Sequence, residues 1–232
     1  MKKNNKLEHL AIIMDGNGRW AIKRGKPRLF GHKAGIESFK RTIQACLELN
    51  IKILSVFAFS TENWSRPKEE VDGIMNLIND FCQQDYSHAM ENGIKVVTMG
   101  DLSRLPENLQ KSLKDIINKT KNNDKLILNI GINYGARAEI VRAVNQIIAS
   151  GKKECSEESF KQYLYTASLP DPDLIIRASG EKRLSNFMLY QCAYSEFYFP
   201  KAHWPDFNKK VILKAIASYQ KRNRRFGGLK NI

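Results

Sequence analysis

Apolar positions along the chain fall into two alternating patterns. Short, nearly continuous apolar runs occur at 10–14, 53–59, 94–99, 126–132 and 174–176, each bounded by Gly, Asp, Asn or Ser. Runs of that length suit strands covered on both faces, as in a parallel sheet. Between them the apolar residues recur at helical spacing, which predicts helices over 34–49, 67–91, 106–121, 136–150, 156–165 and 208–225. The segment 67–91 carries the fullest set of signals. Pro67 suits a first turn, Glu69 and Glu70 favour the positive end, and Val71, Ile74, Met75, Ile78, Phe81 and Cys82 form one stripe before Gly93.

Regular strand–helix alternation predicts an α/β fold, a single domain over residues 1–232 with a central, mostly parallel sheet of about six strands flanked by helices. In such a sheet ligands bind beyond the carboxyl ends of the strands, so chemistry is to be sought in the residues after each apolar run. A chain of 232 residues buries roughly 70% of the surface its unfolded form exposes and needs no metal or disulfide staple. Cys46, Cys82, Cys155 and Cys192 lie at least 36 residues apart, with no C-x-x-C pair, and read as reduced thiols of a cytosolic protein. No apolar run approaches the ~18 residues of a membrane span. The basic start, Met1 to Lys6, is not followed by a signal-peptide pattern, so a soluble cytoplasmic protein is expected.

Charge narrows the partners. With 38 Lys+Arg against 24 Asp+Glu the net charge is +14, which implies a polyanion: nucleic acid, an acidic membrane face or a phosphorylated substrate. Six Lys/Arg and no acid lie between Arg19 and Lys33, and eight with no acid follow Asp206.

The first strand runs into Met14-Asp15-Gly16-Asn17-Gly18-Arg19-Trp20-Ala21. Glycines there let backbone N–H groups approach an anion. The stretch fits G-x-G-x-x-A only formally. No acidic residue ends the second strand, and Asp15 would face a nicotinamide cofactor's pyrophosphate unscreened. A carboxylate beside a phosphate cradle makes sense where a divalent cation joins them, because Mg²⁺ takes one or two carboxylates plus phosphate oxygens. An ordinary turn is the alternative reading of Asp15-Gly16. The second strand ends in Ser60-Thr61-Glu62-Asn63-Trp64-Ser65-Arg66-Pro67, where a helix cap at Ser65 explains Ser65 and Pro67 but leaves Asn63, Trp64 and Arg66 over. After the fifth strand, Arg177, Arg183 and Ser185 are phosphate-type ligands, guanidinium forks and a hydroxyl.

Five blocks in order then carry a family resemblance: Asp15 to Ala21, Gly31-His32, Phe59 to Trp64, Arg177 to Phe187, and Tyr194-Ser195-Glu196 with Trp204-Pro205-Asp206-Phe207. They resemble the cis-prenyltransferases, in particular the bacterial undecaprenyl diphosphate synthase type, over nearly the whole chain. The Arg224-Arg225-Phe226-Gly227-Gly228 tail is of the bacterial kind. Ala178 stands where Thr is common, and Ala136 replaces the second Gly of Asn-Tyr-Gly-Gly-Arg; neither removes a charged group.

The resemblance implies a homodimeric α/β enzyme that adds isopentenyl diphosphate repeatedly to an allylic primer, farnesyl diphosphate, forming cis double bonds. The implied product is undecaprenyl diphosphate, the lipid-carrier precursor of cell-wall synthesis, with a shorter cis-polyprenyl diphosphate as the alternative. By resemblance, Asp15 handles Mg²⁺ and diphosphate, while Gly16, Asn17, Gly18, Arg19, Arg28 and His32 form the primer diphosphate site. Arg177, Arg183 and Ser185 form the isopentenyl diphosphate site, with Glu196 a metal ligand beside it. Trp20, Ser60, Thr61, Glu62, Asn63, Trp64 and Arg66 line the substrate space between, with Asn63 the proton acceptor.

Two diphosphates bring about six negative charges. Five arginines (19, 28, 66, 177 and 183) and one Mg²⁺, less Asp15 and Glu196, offset five of them. A carboxamide is a feeble base, so Asn63 is also readable as a substrate-orienting group while a diphosphate oxygen or water takes the proton. The 67–91 stripe, Phe57, Phe59 and the strand around Leu126 to Ile130 are expected either to line an apolar channel or to pack as plain core. A basic surface suits peripheral contact with an anionic inner membrane face. A nucleic-acid-binding module leaves Asp15, Glu181 and Glu196 unexplained, and no nucleic-acid partner is expected.

Overall fold

Each apolar run finds its backbone partners in the others. The computed structural model describes residues 6–84 and 86–223. In it β1 (His9–Ile13), β2 (Ile53–Ser60), β3 (Ile94–Met99), β4 (Leu126–Tyr134), β5 (Leu174–Arg177) and β6 (Glu196–Tyr198) form one sheet. The order is β3-β4-β2-β1-β5-β6, and every neighbouring pair is parallel. Five strands coincide with the predicted runs to within two residues. β6 has no apolar run to announce it, being three half-buried residues at the sheet edge.

The helices are α1 (Asn17–Ile22), α2 (Arg28–Glu48), α3 (Lys68–Gln84), α4 (Tyr86–Glu91), α5 (Glu107–Thr120), α6 (Ala136–Ala149), α7 (Glu157–Lys161) and α8 (Lys209–Gln220). α1 was not expected, and α2 starts six residues before the predicted 34. Their packing explains both. A Cβ on Gly31 would lie 2.0 Å from the Asn17 carbonyl oxygen, so α1 and α2 touch backbone to backbone there. α7 and α8 stop short of 165 and 225, and the Arg224–Gly228 tail lies outside the described residues.

Strand periodicity divides the core. Leu10 and Ile12 of β1 join Leu54, Val56, Phe39, Ile78 and Ile212 on one face, while Ala11 and Ile13 join Met99, Tyr134, Ile175 and Phe187 on the other. Helices and loops cover both faces, so β1 is buried at every position. The register then sets the site. Ile13 pairs with Phe57 of β2 and with Arg177 of β5, so the residues leaving these three strands emerge at one edge.

His9 shows what the buried central strand costs a titratable group. Its Nδ1 lies 2.7 Å from the Pro170 carbonyl and its Nε2 2.8 Å from Ser55 Oγ. Burial pushes its pKa down from 6.5 to about 4, against the pull of Pro170 and Asp173. The unfolded chain therefore binds a proton near pH 6.5 that the folded chain refuses until about pH 4. Stability contributed by the neutral ring is present above that window and lost as pH falls through it, by ~3 kcal/mol in full. Urea unfolding between pH 7 and 4 is expected to show a shallower loss in His9→Gln than in the parent; equal slopes would remove His9 from the effect.

Candidate active site

Parallel register brings a carboxylate and a guanidinium side by side. Asp15 follows β1 by two residues, and Arg177 ends β5 opposite Ile13. Arg177 Nη2 donates to Asp15 Oδ2 at 2.9 Å, while Nη1 donates to Ser185 Oγ at 2.7 Å and to the Arg183 carbonyl at 2.5 Å. Arg177 is only 5% exposed, and its buried Nε has no hydrogen-bond partner among the described residues. One helical turn after Asp15, Arg19 reaches back with Nη2 3.1 Å from Asp15 Oδ1, and its Nη1 donates to Glu181 Oε1 at 2.5 Å. Arg183 holds the other Glu181 oxygen. Burial works to raise the Asp15 carboxyl, but Arg177 and Arg19 outweigh it and hold the group below the usual carboxylate range. Asp15 is thus ionised at neutral pH.

Glycine is required at the turn. Gly16 has φ +97°, and a Cβ there would lie 1.9 Å from Ser179 Oγ, which donates to the Asp15 carbonyl at 2.9 Å. At Gly18 a Cβ would lie 2.7 Å from the Arg28 guanidinium.

The turn after β2 has a structural job for the residues that a cap at Ser65 left over. A 3-10 turn spans Thr61–Ser65, and its cap is Ser60, not Ser65. Asn63 completes a reciprocal capping box, its Oδ1 accepting the Ser60 N–H at 3.1 Å. Trp64 packs its ring edge-on against Phe59 and donates from Nε1 to Asn133 Oδ1 at 2.7 Å. Arg66 Nη1 donates to Glu70 Oε1 at 3.1 Å.

Glu70 turns out to be a hub. Only 9% exposed in the first turn of α3, it accepts from Arg28 Nε at 2.8 Å and from Arg66, and lies 3.3 Å from His32 Nε2. Burial works to raise its carboxyl, but Arg28, Arg66 and His32 more than offset that. Burial also lowers the His32 pKa, with Arg66 and Arg28 adding to the effect against Glu70, so the ring is neutral at pH 7.

These groups border a cleft of about 500 Å³ lined by Asp15, Asn17, His32, Ser60, Glu62, Asn63, Arg66, Arg177, Ser185 and Asn186, with Met14, Phe57 and Ala58 as apolar walls. Met14, Asn17, His32 and Ala58 also wall an apolar cavity of about 70 Å³, bounded farther in by Ile74, Ile78 and Phe81 of α3. Phe81 then borders a second, mostly apolar cavity of about 300 Å³ beyond it, with Ile94, Val96 and Leu128.

Three residues expected to line the substrate space, and Glu196, expected as a metal ligand, lie elsewhere. Trp20 donates its indole N–H to Asp206 at 2.7 Å and stacks with Phe30. Thr61 faces a separate hollow beside Asp101 and Asn133, and Trp64 is committed to Phe59 and Asn133. Glu196 starts β6 opposite Leu174, three residues before Arg177, so it sits ~10 Å back along the strands from the Asp15 edge. It is paired with Arg222 at 2.5 Å. Within one chain Glu196 is therefore not beside the diphosphate-type ligands.

Known proteins decide the family. Residues 13–227 match the family model described as "Putative undecaprenyl diphosphate synthase". The isoprenyl transferase of Thermotoga maritima is 52% identical over 228 residues, covering 97% of this chain and 98% of its own. That of Clostridium perfringens is 50% identical over 229 residues, covering 96% and 90%. The chain belongs to the isoprenyl transferase (undecaprenyl diphosphate synthase) family. Solved structures agree on the architecture. Lavandulyl diphosphate synthase from Lavandula x intermedia, crystallised with dimethylallyl diphosphate, superposes with a TM-score of 0.92 at 38% identity, covering 95% of this chain and 98% of its own. A "probable undecaprenyl diphosphate synthase" from Campylobacter jejuni gives 0.82 at 38% identity, covering 96% and 99%.

In this member of the family the cleft's own charge is nearer to balance than the sequence alone suggests. Glu70 and Glu181 pair with the arginines, whereas Glu196 lies away. Five arginines meet three carboxylates bonded to them, Asp15, Glu70 and Glu181, and a fourth carboxylate, Glu62, lines the cleft. An anion entering the cleft therefore exchanges for internal carboxylates rather than meeting bare cations.

Proposed function

We propose that the chain, acting as one domain over residues 1–232, is a Mg²⁺-dependent cis-prenyltransferase. It condenses isopentenyl diphosphate repeatedly onto farnesyl diphosphate to give undecaprenyl diphosphate, the precursor of a cell-wall lipid carrier. One observation carries this reading: the guanidinium-edged cleft and the apolar cavity share the walls Met14, Asn17, His32 and Ala58. A ligand with an anionic head and a hydrocarbon tail fits such a pair of compartments, each part meeting its own chemistry.

Arg177, Ser185 and Arg183 take the isopentenyl diphosphate. Arg19, Arg28, Arg66 and His32, with Asn17 and the glycine turn at Gly16 and Gly18, take the primer's diphosphate. Glu62, which accepts from Asn186 Nδ2 at 2.8 Å, holds the wall between them. The donor set fits Mg²⁺. Among the described residues no group of three or more His, Cys, Asp or Glu could hold a metal, but two carboxylates, Asp15 and Glu62, line the cleft, and Mg²⁺ habitually takes its remaining ligands from phosphate and water. Asp15 is the residue that would hold the ion, which when bound neutralises charge on the departing diphosphate. Asn63 offers little as a base, since its Oδ1 already accepts from Ser60. Its amide N–H donates to substrate instead, and the proton leaves to a diphosphate oxygen or water.

Glu70 acts as a positioning residue. Glu70→Ala is expected to lower kcat/KM for the primer about tenfold, a change of ~1.4 kcal/mol, and Glu70→Gln less, because an acceptor for Arg28 remains. Steady-state kinetics at saturating isopentenyl diphosphate reads the difference; equal losses would mean that charge alone matters.

A shorter product is the second reading, favoured by Phe81, which stands between the two apolar cavities. Incubation with labelled isopentenyl diphosphate, farnesyl diphosphate and Mg²⁺, followed by chromatography of the extracted lipid, separates the two. A C55 ladder end supports the first, an earlier stop the second, and absence of extractable product removes both. The assembly we propose is a homodimer, supported by an exposed apolar stripe on α6, Val141, Val144 and Ile148. The proposed location is cytoplasmic with peripheral membrane contact. No helix among the described residues is long and apolar enough to cross a membrane.

A further inference from the structure

Beside the cleft, the corner between α1 and α2 exposes apolar side chains to water. Ile22 is 59% exposed, Phe30 46% and Leu29 40%. The tip of the corner, Gly25, has no neighbouring atom within 4 Å of where a Cβ would be, so it faces solvent. Lys23, Arg24, Lys26 and Lys33, all exposed, are interleaved with these residues. The arrangement is ordered. The Arg24 guanidinium lies 3.9 Å over the Trp20 ring, that ring stacks with Phe30 at 6.1 Å, and the Lys26 ammonium lies 6.0 Å from the Phe30 ring. Two acids meet the corner among the described residues: Asp206 accepts from the Trp20 indole and lies 3.7 Å from Arg24, and Glu70 accepts from Arg28 at the start of α2.

Exposed bulky apolar groups interleaved with cations and aromatic rings are the signature of a surface that sits at a lipid interface. Four cations with no acid in the same stretch of chain complement an anionic leaflet. The same two helices carry the cleft residues Asn17, on α1, and His32, on α2. We propose that the α1–α2 corner docks on an anionic bilayer, with Ile22, Leu29 and Phe30 entering the headgroup layer and Lys23, Arg24, Lys26 and Lys33 meeting lipid phosphates. The inference rests on the proposed function in one respect, that a long hydrocarbon product needs a bilayer to leave into.

Co-sedimentation of the full chain with phosphatidylcholine vesicles, with and without phosphatidylglycerol, tests it. Binding is expected with phosphatidylglycerol and is expected to weaken as salt rises. Lys23→Gln with Lys26→Gln lowers the partition coefficient about thirtyfold. Ile22→Ser with Phe30→Ser lowers it about tenfold even at low salt. Neither pair changes the melting temperature by more than a few degrees, nor turnover of soluble substrates in detergent. Binding indifferent to phosphatidylglycerol, or unchanged in both double variants, overturns the proposal. So does a change of oligomeric state in Ile22→Ser with Phe30→Ser, since the corner would then be a protein interface. Turnover in detergent reports separately on the proposed function: vesicle binding without product formation sinks that reading and leaves the docking surface standing.

Discussion

Asp15→Ala is expected to lower kcat by about three orders of magnitude while KM for either diphosphate moves less than tenfold. Groups that meet charge only as it develops on a leaving group contribute on that scale, and their loss appears in kcat rather than in KM. The structure adds a refinement. Asp15 is the partner of Arg177, which is 5% exposed, and of Arg19, so its removal frees two guanidinium groups for substrate. Ground-state binding is therefore expected to hold or tighten as turnover collapses. Asp15→Asn, which keeps the shape and removes the charge, should behave like the alanine variant. Steady-state kinetics with labelled isopentenyl diphosphate, alongside a melting curve to exclude unfolding, checks both; near-normal turnover in either variant takes Asp15 out of the chemistry.

Arg177→Ala should raise KM for isopentenyl diphosphate at least a hundredfold, and Arg183→Ala only about tenfold. Burial ranks them. Arg177 donates to Asp15, Ser185 and the Arg183 carbonyl at once, so its loss strips three acceptors of their donor in a poorly hydrated site. Charge-assisted bonds of that kind are worth ~1.5–3 kcal/mol each. Arg183 has a side chain 59% exposed and a pairing with Glu181 that water screens. Titrating isopentenyl diphosphate at saturating primer gives the comparison, and equal effects would show that burial does not order the two arginines.

Much of this was legible in the chain itself, and the reasons differ by element. β1, β2, β4 and β5 announce themselves because strands buried on both faces must be apolar throughout, and the edge where they end follows from parallel order. β6 does not, since an edge strand of three half-buried residues needs no such pattern, and with it the position of Glu196 was hidden. Glu70 looked like an ordinary acid at a helix start. Its partners Arg28 and His32 lie 42 and 38 residues away, and only the packing of α2 against α3 joins them. The capping-box bond of Asn63 is local chemistry of the Ser-x-x-Asn kind, and it belongs to a 3-10 turn that no apolar periodicity marks ahead of α3. Trp20 sits within the most recognisable block, but the α1–α2 contact turns its ring outward onto Phe30.

The helix α3 joins the two halves of the site mechanically. Glu70 grips three cationic or imidazole side chains in its first turn, and Ile74, Ile78 and Phe81 border the apolar cavity one to three turns on. Eleven residues of helix make a stiff rod of ~16 Å. On the proposed function, a hydrocarbon pressing on Phe81 leans on the same lever that carries Glu70 and its partners, which would give the far end of a tail a mechanical route to the grip at its front.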